Sequence, residues 1–398
     1  MHPIQLTRFL TLRSLALMVA LSVCVCLAVA APRKPTSDKE VLDKLPLRAG
    51  DTSVRELSTL RAAAANAPAD ANAAAALAQA YFDLAIARGD PRYVGYAEAV
   101  LSGFSGPLSA KLLLLRGMLG QYRHGFTSAL NDFSAALAQD PNLAVAHSWR
   151  AAIFLVMADY PAAQKECNAL QRLGRKALLG ACLGLAQAYN GQLDAAYKTL
   201  QVALDTTADV DQRLWLLTRL GEVAAWRGQS PVAEQHFREA LNLGRDDGYL
   251  LAAWSDFLLD QGRAAEVVKA LASWEASDGL LLRLALAEAT LKLPNAVRHA
   301  QALDDRFAAA KLRGDTTHQA EEARFRLHLR NDSKEAVRLA ADNFTVQREP
   351  RDARILLEAA IAAQDAAAAQ PARDWLRTSG FEDARLQKLG RALAQVKP

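Results

Sequence analysis

Runs of β-branched residues are scarce in this chain, aromatics make up only 7% of it, and acids and bases alternate without a long block of either sign. The first two shortages count against a sheet protein, because strands draw on those residue types. The third excludes the clustered basic face on which nucleic-acid binding relies. Catalytic signatures are missing too. There is no His-Glu-x-x-His zinc motif. Gly103-Phe104-Ser105-Gly106 lacks the closing glycine of a nucleophile elbow. Lys198-Thr199 lacks the glycine that precedes the lysine of a phosphate-binding loop. The paired acids Asp246-Asp247 and Asp304-Asp305 fall where loops or helix ends are expected, and read as caps or solvated charge. Seven histidines are scattered along the chain. His318 and His328, with Glu321 and Glu322 between them, could suggest a metal, but a solvated helix face is the plainer reading. The sequence therefore leads to no catalysis, no cofactor, no small-molecule substrate and no nucleic-acid partner.

What is present is alanine and leucine, the strongest helix formers, within a chain of 398 residues that is 51% hydrophobic. Its N-terminus reads as a secretory signal peptide, residues 1–30. Arg8 and Arg13 supply the positive region, Ser14 to Leu27 the apolar run, and Ala28-Val29-Ala30 the small-x-small cleavage site. Export to the periplasm or beyond is expected. The other reading is an uncleaved inner-membrane anchor, since the run approaches the length of a span; only then would the protein touch a membrane. Of four cysteines, Cys24 and Cys26 lie in the signal. Cys167 and Cys182 match no metal spacing and leave two readings, a pair of buried thiols or one disulfide between adjacent helices.

Residues 31–70 form a Pro- and Lys-containing tether followed by a short amphipathic segment, Val54 to Ala65. From Ala71 onward, paired helical segments are separated by Gly, Asp and Pro. A frame repeats through them. Ala129, Phe133 and Ala136 precede Asp140-Pro141, and the frame returns at Ala163, Cys167 and Leu170, at Ala196, Leu200 and Ala203, at Ala233, Phe237 and Ala240, and at Val267, Leu271 and Trp274. The steps are 34, 33, 37 and 34 residues. Small and large residues thereby share one helix face, where a neighbour must interlock. The first helix of each unit repeats as well, with Leu183-Gly184 before Gly191, Leu220-Gly221 before Gly228, and Arg116-Gly117 earlier. A glycine inside a helix costs about 1 kcal/mol relative to alanine, so its recurrence indicates close helix–helix approach.

On these residues the chain resembles the tetratricopeptide repeat (TPR) family, with units beginning near Ala110, Ala144, Ala177, Leu214 and Gly248 and a weaker one near Ala71, where Tyr81 precedes an insertion through Pro91. The expected fold is all-α, a right-handed superhelical solenoid of antiparallel helix pairs. TPR-like repeats are placed over 71–345, and a degenerate repeat with capping helices over 346–398. Arg373 to Leu376 and a helix from Phe381 to Val396 are expected to close the stack, with Lys388, Arg391 and Lys397 on its polar outer face. The resemblance implies a concave groove lined by the first helix of each pair. It puts Trp149, Trp215, Arg219, Glu222, Trp226, Tyr249 and Asp256 there, although each aromatic also fits the inter-repeat core. Among the groove positions only Lys111 is a lysine and none is an asparagine, so a basic clamp for a peptide carboxylate is not expected. An apolar or amphipathic segment of another envelope protein fits better. The implied function is a non-catalytic scaffold or adaptor in the bacterial cell envelope. Two others stand beside it: a regulatory or substrate-recruiting subunit of an envelope enzyme or secretion complex, and an enzyme with a metal site around His318 and His328.

Overall fold

The computed structural model describes residues 52–393, with side chains from residue 55 onward. Residues 1–30, read above as a signal peptide, the expected tether up to residue 51 and the residues after Leu393, Lys397 among them, lie outside the described residues. The chain divides into two units, Met1–Arg55 and Glu56–Pro398. Helix α1 (Thr52–Asn66) leads into the second unit, which contains every other described helix. The described residues form twenty helices and no strand.

Seven antiparallel helix hairpins follow α1. They are α2 (Ala71–Arg88) with α3 (Arg92–Gly103), α4 (Ala110–Tyr122) with α5 (Phe126–Gln139), α6 (Ala144–Val156) with α7 (Tyr160–Arg172), α8 (Lys176–Tyr189) with α9 (Leu193–Asp205), α10 (Val210–Trp226) with α11 (Ser230–Asn242), α12 (Gly248–Asp260) with α13 (Ala264–Leu271), and α14 (Asp278–Thr290) with α15 (Asn295–Leu312). Five more helices complete the chain: α16 (Gln319–Leu329), α17 (Ser333–Val346), α18 (Pro350–Ala363), α19 (Gln370–Ser379) and α20 (Ala384–Leu393). The architecture is the expected right-handed solenoid of helix pairs.

Local chemistry marks the helix boundaries. Asp70, Ser109, Asp159, Asp209 and Asp247 each cap a helix by accepting from a backbone N–H of its first turn. The interlock within each hairpin explains the interior glycines. A Cβ on Gly117 would stand 2.6 Å from the Phe133 ring, one on Gly184 2.6 Å from Leu200, and one on Gly221 2.8 Å from the Phe237 ring. In each case the first helix omits a side chain so that the large residue of the second helix can press against its backbone. The segment after Tyr81 is not an insertion. α2 simply continues to Arg88, ends on left-handed Gly89, and turns through Asp90-Pro91 into α3.

The superhelix closes on itself. Gly248 at the start of α12 abuts the end of α2, where an added Cβ would lie 3.1 Å from the Ile86 carbonyl oxygen. A Cβ on Gly89 would lie 2.5 Å from Ser277 Oγ, and Arg88 pairs with Asp246 at 3.8 Å. The first hairpin thus meets the sixth and the turn before the seventh.

The helices after α15 carry the stacking on: α16 and α17 form a further hairpin, α16 packs on α14, and α18 packs on α16 and α17. This C-terminal segment also reaches back to earlier hairpins. Gln347 Nε2 stands 3.2 Å from His124 Nε2, the Arg348 N–H donates to the Val156 carbonyl at 2.8 Å, and Trp375 Nε1 donates to Tyr160 Oη at 2.9 Å. Gly191 and Gly380 meet backbone to backbone, leaving no space for a Cβ on Gly191. His124, Val156, Tyr160 and Gly191 all sit where the first helix of a hairpin gives way to the second, so the segment crosses successive hairpins at their turns. Trp375 and Phe381 are consequently buried, Phe381 completely, in a core shared with Tyr189, Leu216 and Val223. The last helix begins at Ala384 rather than Phe381. These residues are buried because the segment has too much aromatic and aliphatic surface to leave exposed.

The candidate interaction groove

The first helices of the hairpins carry the residues expected to line a groove, and those on α10 and α12 form one connected patch. Arg219 on α10 donates to Glu222 at 2.9 Å and to the Tyr249 hydroxyl, while the Tyr249 hydroxyl donates to Glu222 Oε1 at 2.7 Å. The guanidinium lies over two rings, 4.3 Å from the Tyr249 centroid and 5.2 Å from that of Trp215. Arg219 Nε is buried without a hydrogen-bond partner. One turn further on, Trp226 stands 6.2 Å from Tyr189 and edge-on to Phe381 at 5.3 Å. Asp256 on α12 receives Arg283 and Arg324, each at 2.6 Å. Trp149 is set apart: half-buried on α6, it meets Phe82 of α2 edge-on at 6.0 Å and belongs to the core of the first three hairpins.

Five of the seven expected residues thus converge: Arg219, Glu222, Trp226, Tyr249 and Asp256. Trp215 supports them from below the Arg219 guanidinium, and Trp149 does not join them. The patch is not open. Glu349 accepts from the Tyr189 hydroxyl at 3.0 Å, Phe381 covers Trp226, Arg324 holds Asp256, and Arg354 and Arg385 both pair with Asp260, the Arg354 contact being 2.8 Å. The face expected to receive a partner carries the chain's own C-terminal segment. Sequence reasoning missed Tyr189, Asp260, Glu349 and Arg385. Tyr189 and Asp260 each end a first helix, as Trp226 does, so the repeat frame contained their signal. Glu349 and Asp352 flank a proline at a helix start, and the structure closes them into a capping box.

Between the C-terminal segment and α10–α12 remains a cavity of about 130 Å³, lined by Tyr189, Glu222, Tyr249, Asp256, Arg283 and Arg351 among others. Arg351 keeps about half its side chain accessible because it projects into this hollow, its one ion pair running to Glu349 at 2.8 Å. Burial raises the pKa of the Tyr189 and Tyr249 phenols. Burial also works to raise the Asp256 carboxyl, yet Arg283 and Arg324 hold it well below the usual carboxylate range. Asp352 goes the other way. Burial pushes its carboxyl up to about 7, with Arg351 opposing and Glu349 adding to the shift. His318 and His328 are not brought to a shared site: His318 precedes α16 as its N-cap residue, and His328 faces Glu358 at 3.4 Å. No group of three His, Cys, Asp or Glu side chains is arranged to hold a metal among the described residues.

Cys167 on α7 and Cys182 on α8 are joined by a disulfide, with their Cα atoms 5.6 Å apart. It ties the second helix of one hairpin to the first helix of the next. No helix of the described residues is long and apolar enough to cross a membrane.

No protein-family model matches the sequence, and comparison with curated proteins gives no match. Solved structures do match. A chain of the APC/C hetero-tetramer Cut9–Hcn1 aligns over 86% of this chain and 67% of its own, at 15% identity and a TM-score of 0.53. Human IFIT1, solved as a dimer with m7Gppp-AAAA, aligns over 87% of both chains at 14% identity and a TM-score of 0.43. The TPR domain of P58(IPK) aligns over 80% of this chain and 95% of its own at 16% identity and a TM-score of 0.21. The likeness to Cut9–Hcn1 is one of fold.

Proposed function

We propose that the protein is a non-catalytic scaffold or adaptor that holds a helical segment of another protein on the inner face of its solenoid. One observation carries this reading: the face built by Arg219, Glu222, Trp226, Tyr249 and Asp256 already holds polypeptide of the chain's own C-terminal region through aromatic contacts and charge-assisted hydrogen bonds. Tyrosine, tryptophan and arginine are the residues that dominate interface energetics. The compartment we infer is the bacterial cell envelope. The signal-like residues 1–30 support export, and the Cys167–Cys182 disulfide suits an oxidising compartment. A regulatory subunit of an envelope enzyme or secretion complex would use the same face with one obligate partner.

The test is photo-crosslinking in intact cells from a probe placed beside Trp226, with the parent chain and a Tyr249→Ala variant compared. One dominant crosslinked protein, lost in the variant, supports the adaptor. Absence of any crosslinked protein retires it. Intact-mass measurement of the exported protein tests the cut after Ala30.

A further inference from the structure

We infer that the cleft between the turn of the third hairpin and helices α17 and α19 binds a small amphipathic carboxylate, an aryl or alkyl acid, as a ligand separate from any protein partner. The cleft measures about 550 Å³, within the range of small-molecule sites. Tyr160, Phe344, Pro371 and Trp375 give it an apolar wall, with Ala158 and Ala341 between them. That wall is preformed. Phe344 and Trp375 are buried in one core, against which Tyr160 packs. The Arg348 N–H is held by the Val156 carbonyl at 2.8 Å, and Trp375 Nε1 by Tyr160 Oη at 2.9 Å.

The polar groups left over in the cleft select the ligand's charge. The Arg348 guanidinium makes one long hydrogen bond, Nε to the Phe344 carbonyl at 3.4 Å, and no ion pair among the described residues. Tyr160 Oη receives the Trp375 N–H, and its own proton has no acceptor among the described residues. Burial raises this phenol to about 12, so it keeps that proton at neutral pH. The other polar groups are already engaged. Thr345 donates to the Asp342 carbonyl at 2.7 Å, Ser379 to the Trp375 carbonyl at 2.7 Å, and Thr378 to the Asp374 carbonyl. Asp374, the acid in the lining, pairs with Arg377 at 2.8 Å and accepts from Gln370 at 3.0 Å. What remains is a guanidinium and a phenol proton beside an aromatic wall. Both are donors, and a carboxylate carried on an apolar body supplies the missing acceptor. The same body without its charge gains the wall but leaves the guanidinium unserved.

The probe is 1-naphthaleneacetate, titrated calorimetrically into the purified protein, with 2-(1-naphthyl)ethanol as its uncharged counterpart. One saturable site per chain is expected, with the acid bound at least about tenfold more tightly than the alcohol. Arg348→Gln should remove that preference, weakening the acid about tenfold and the alcohol little. Thr378→Trp should fill the cleft and abolish binding of both compounds. Arg348 and Thr378 are exposed, so both variants should melt as the parent does by circular dichroism. Equal affinity for acid and alcohol overturns the proposal. So does the absence of saturable binding, or binding that survives Thr378→Trp. Neither side chain lines the hollow beside Trp226, so crosslinking there should persist in both variants, and the adaptor reading stands or falls apart from this one.

Discussion

Replacing glycine by alanine inside a helix ordinarily stabilises it by about 1 kcal/mol, and in this protein the sign should depend on which glycine is chosen. Gly95 lies within α3 with nothing near the position a Cβ would take, so Gly95→Ala should realise the full gain. Gly221 lies within α10, where the new Cβ would approach Phe237 Cε1 at 2.8 Å and Cδ1 and Cζ at 2.9 Å. The ring has no room to retreat: it is almost wholly buried, with Trp254 at 5.8 Å and Phe257 at 5.6 Å. Overpacking of this kind costs about 1–3 kcal/mol, so Gly221→Ala should lose about 1 kcal/mol net, which places the two variants about 2 kcal/mol apart. Urea unfolding followed by circular dichroism measures this as opposite shifts of the midpoint at unchanged slope. Phe237→Leu should then be less damaging in the Gly221→Ala background than in the parent, a coupling between contacting residues. If Gly221→Ala proves as stable as Gly95→Ala, the glycine–aromatic interlock is not what fixes the spacing within a hairpin.

Three other outcomes are expected. Replacing Cys167 and Cys182 by serine should lower stability by about 3 kcal/mol, from a closed loop of about fifteen residues; thiol titration of the denatured protein beginning at Ala31 should find no free thiol. Asp256→Asn should cost about 3 kcal/mol or more, because it leaves the buried Arg283 guanidinium without its carboxylate; replacing Arg283 by methionine in the same chain should recover part of the loss. The Asp352 carboxyl, raised to about 7 by burial, favours folding most when protonated, so its contribution is full below pH 4 and is lost as pH rises through 7. Protection of α18 from hydrogen exchange should therefore fall between pH 5 and pH 8, and Asp352→Asn should flatten that dependence.

The hairpins were legible in the sequence because each carries the same packing problem and solves it with the same residues. Gly117, Gly184 and Gly221 oppose Phe133, Leu200 and Phe237, and that pairing repeats often enough to be read without coordinates. The candidate site was legible by half. Repeat geometry expected Arg219, Glu222, Trp226, Tyr249 and Asp256 to share one face, and they stand close together. It could not show what faces them, because contacts such as Glu349 with Tyr189 or Arg385 with Asp260 join residues far apart in the chain and follow no period. The same reason hid the ring closure at Gly89 and Gly248, whose glycines read locally as helix punctuation. The contacts that residues 375–381 make with Tyr160, Tyr189 and Gly191 were hidden for the same reason.

Closure has a consequence for the protein's evolution and engineering. Open repeat arrays gain and lose units readily, because each repeat answers only to its neighbours. Here, deleting or duplicating the fifth hairpin, which lies between the fourth and the sixth, would displace Gly191 from Gly380 and the first hairpin from the sixth. These long-range contacts therefore tie the middle hairpins to a fixed register, so gain or loss of a unit there would have to rebuild contacts at both ends of the interval.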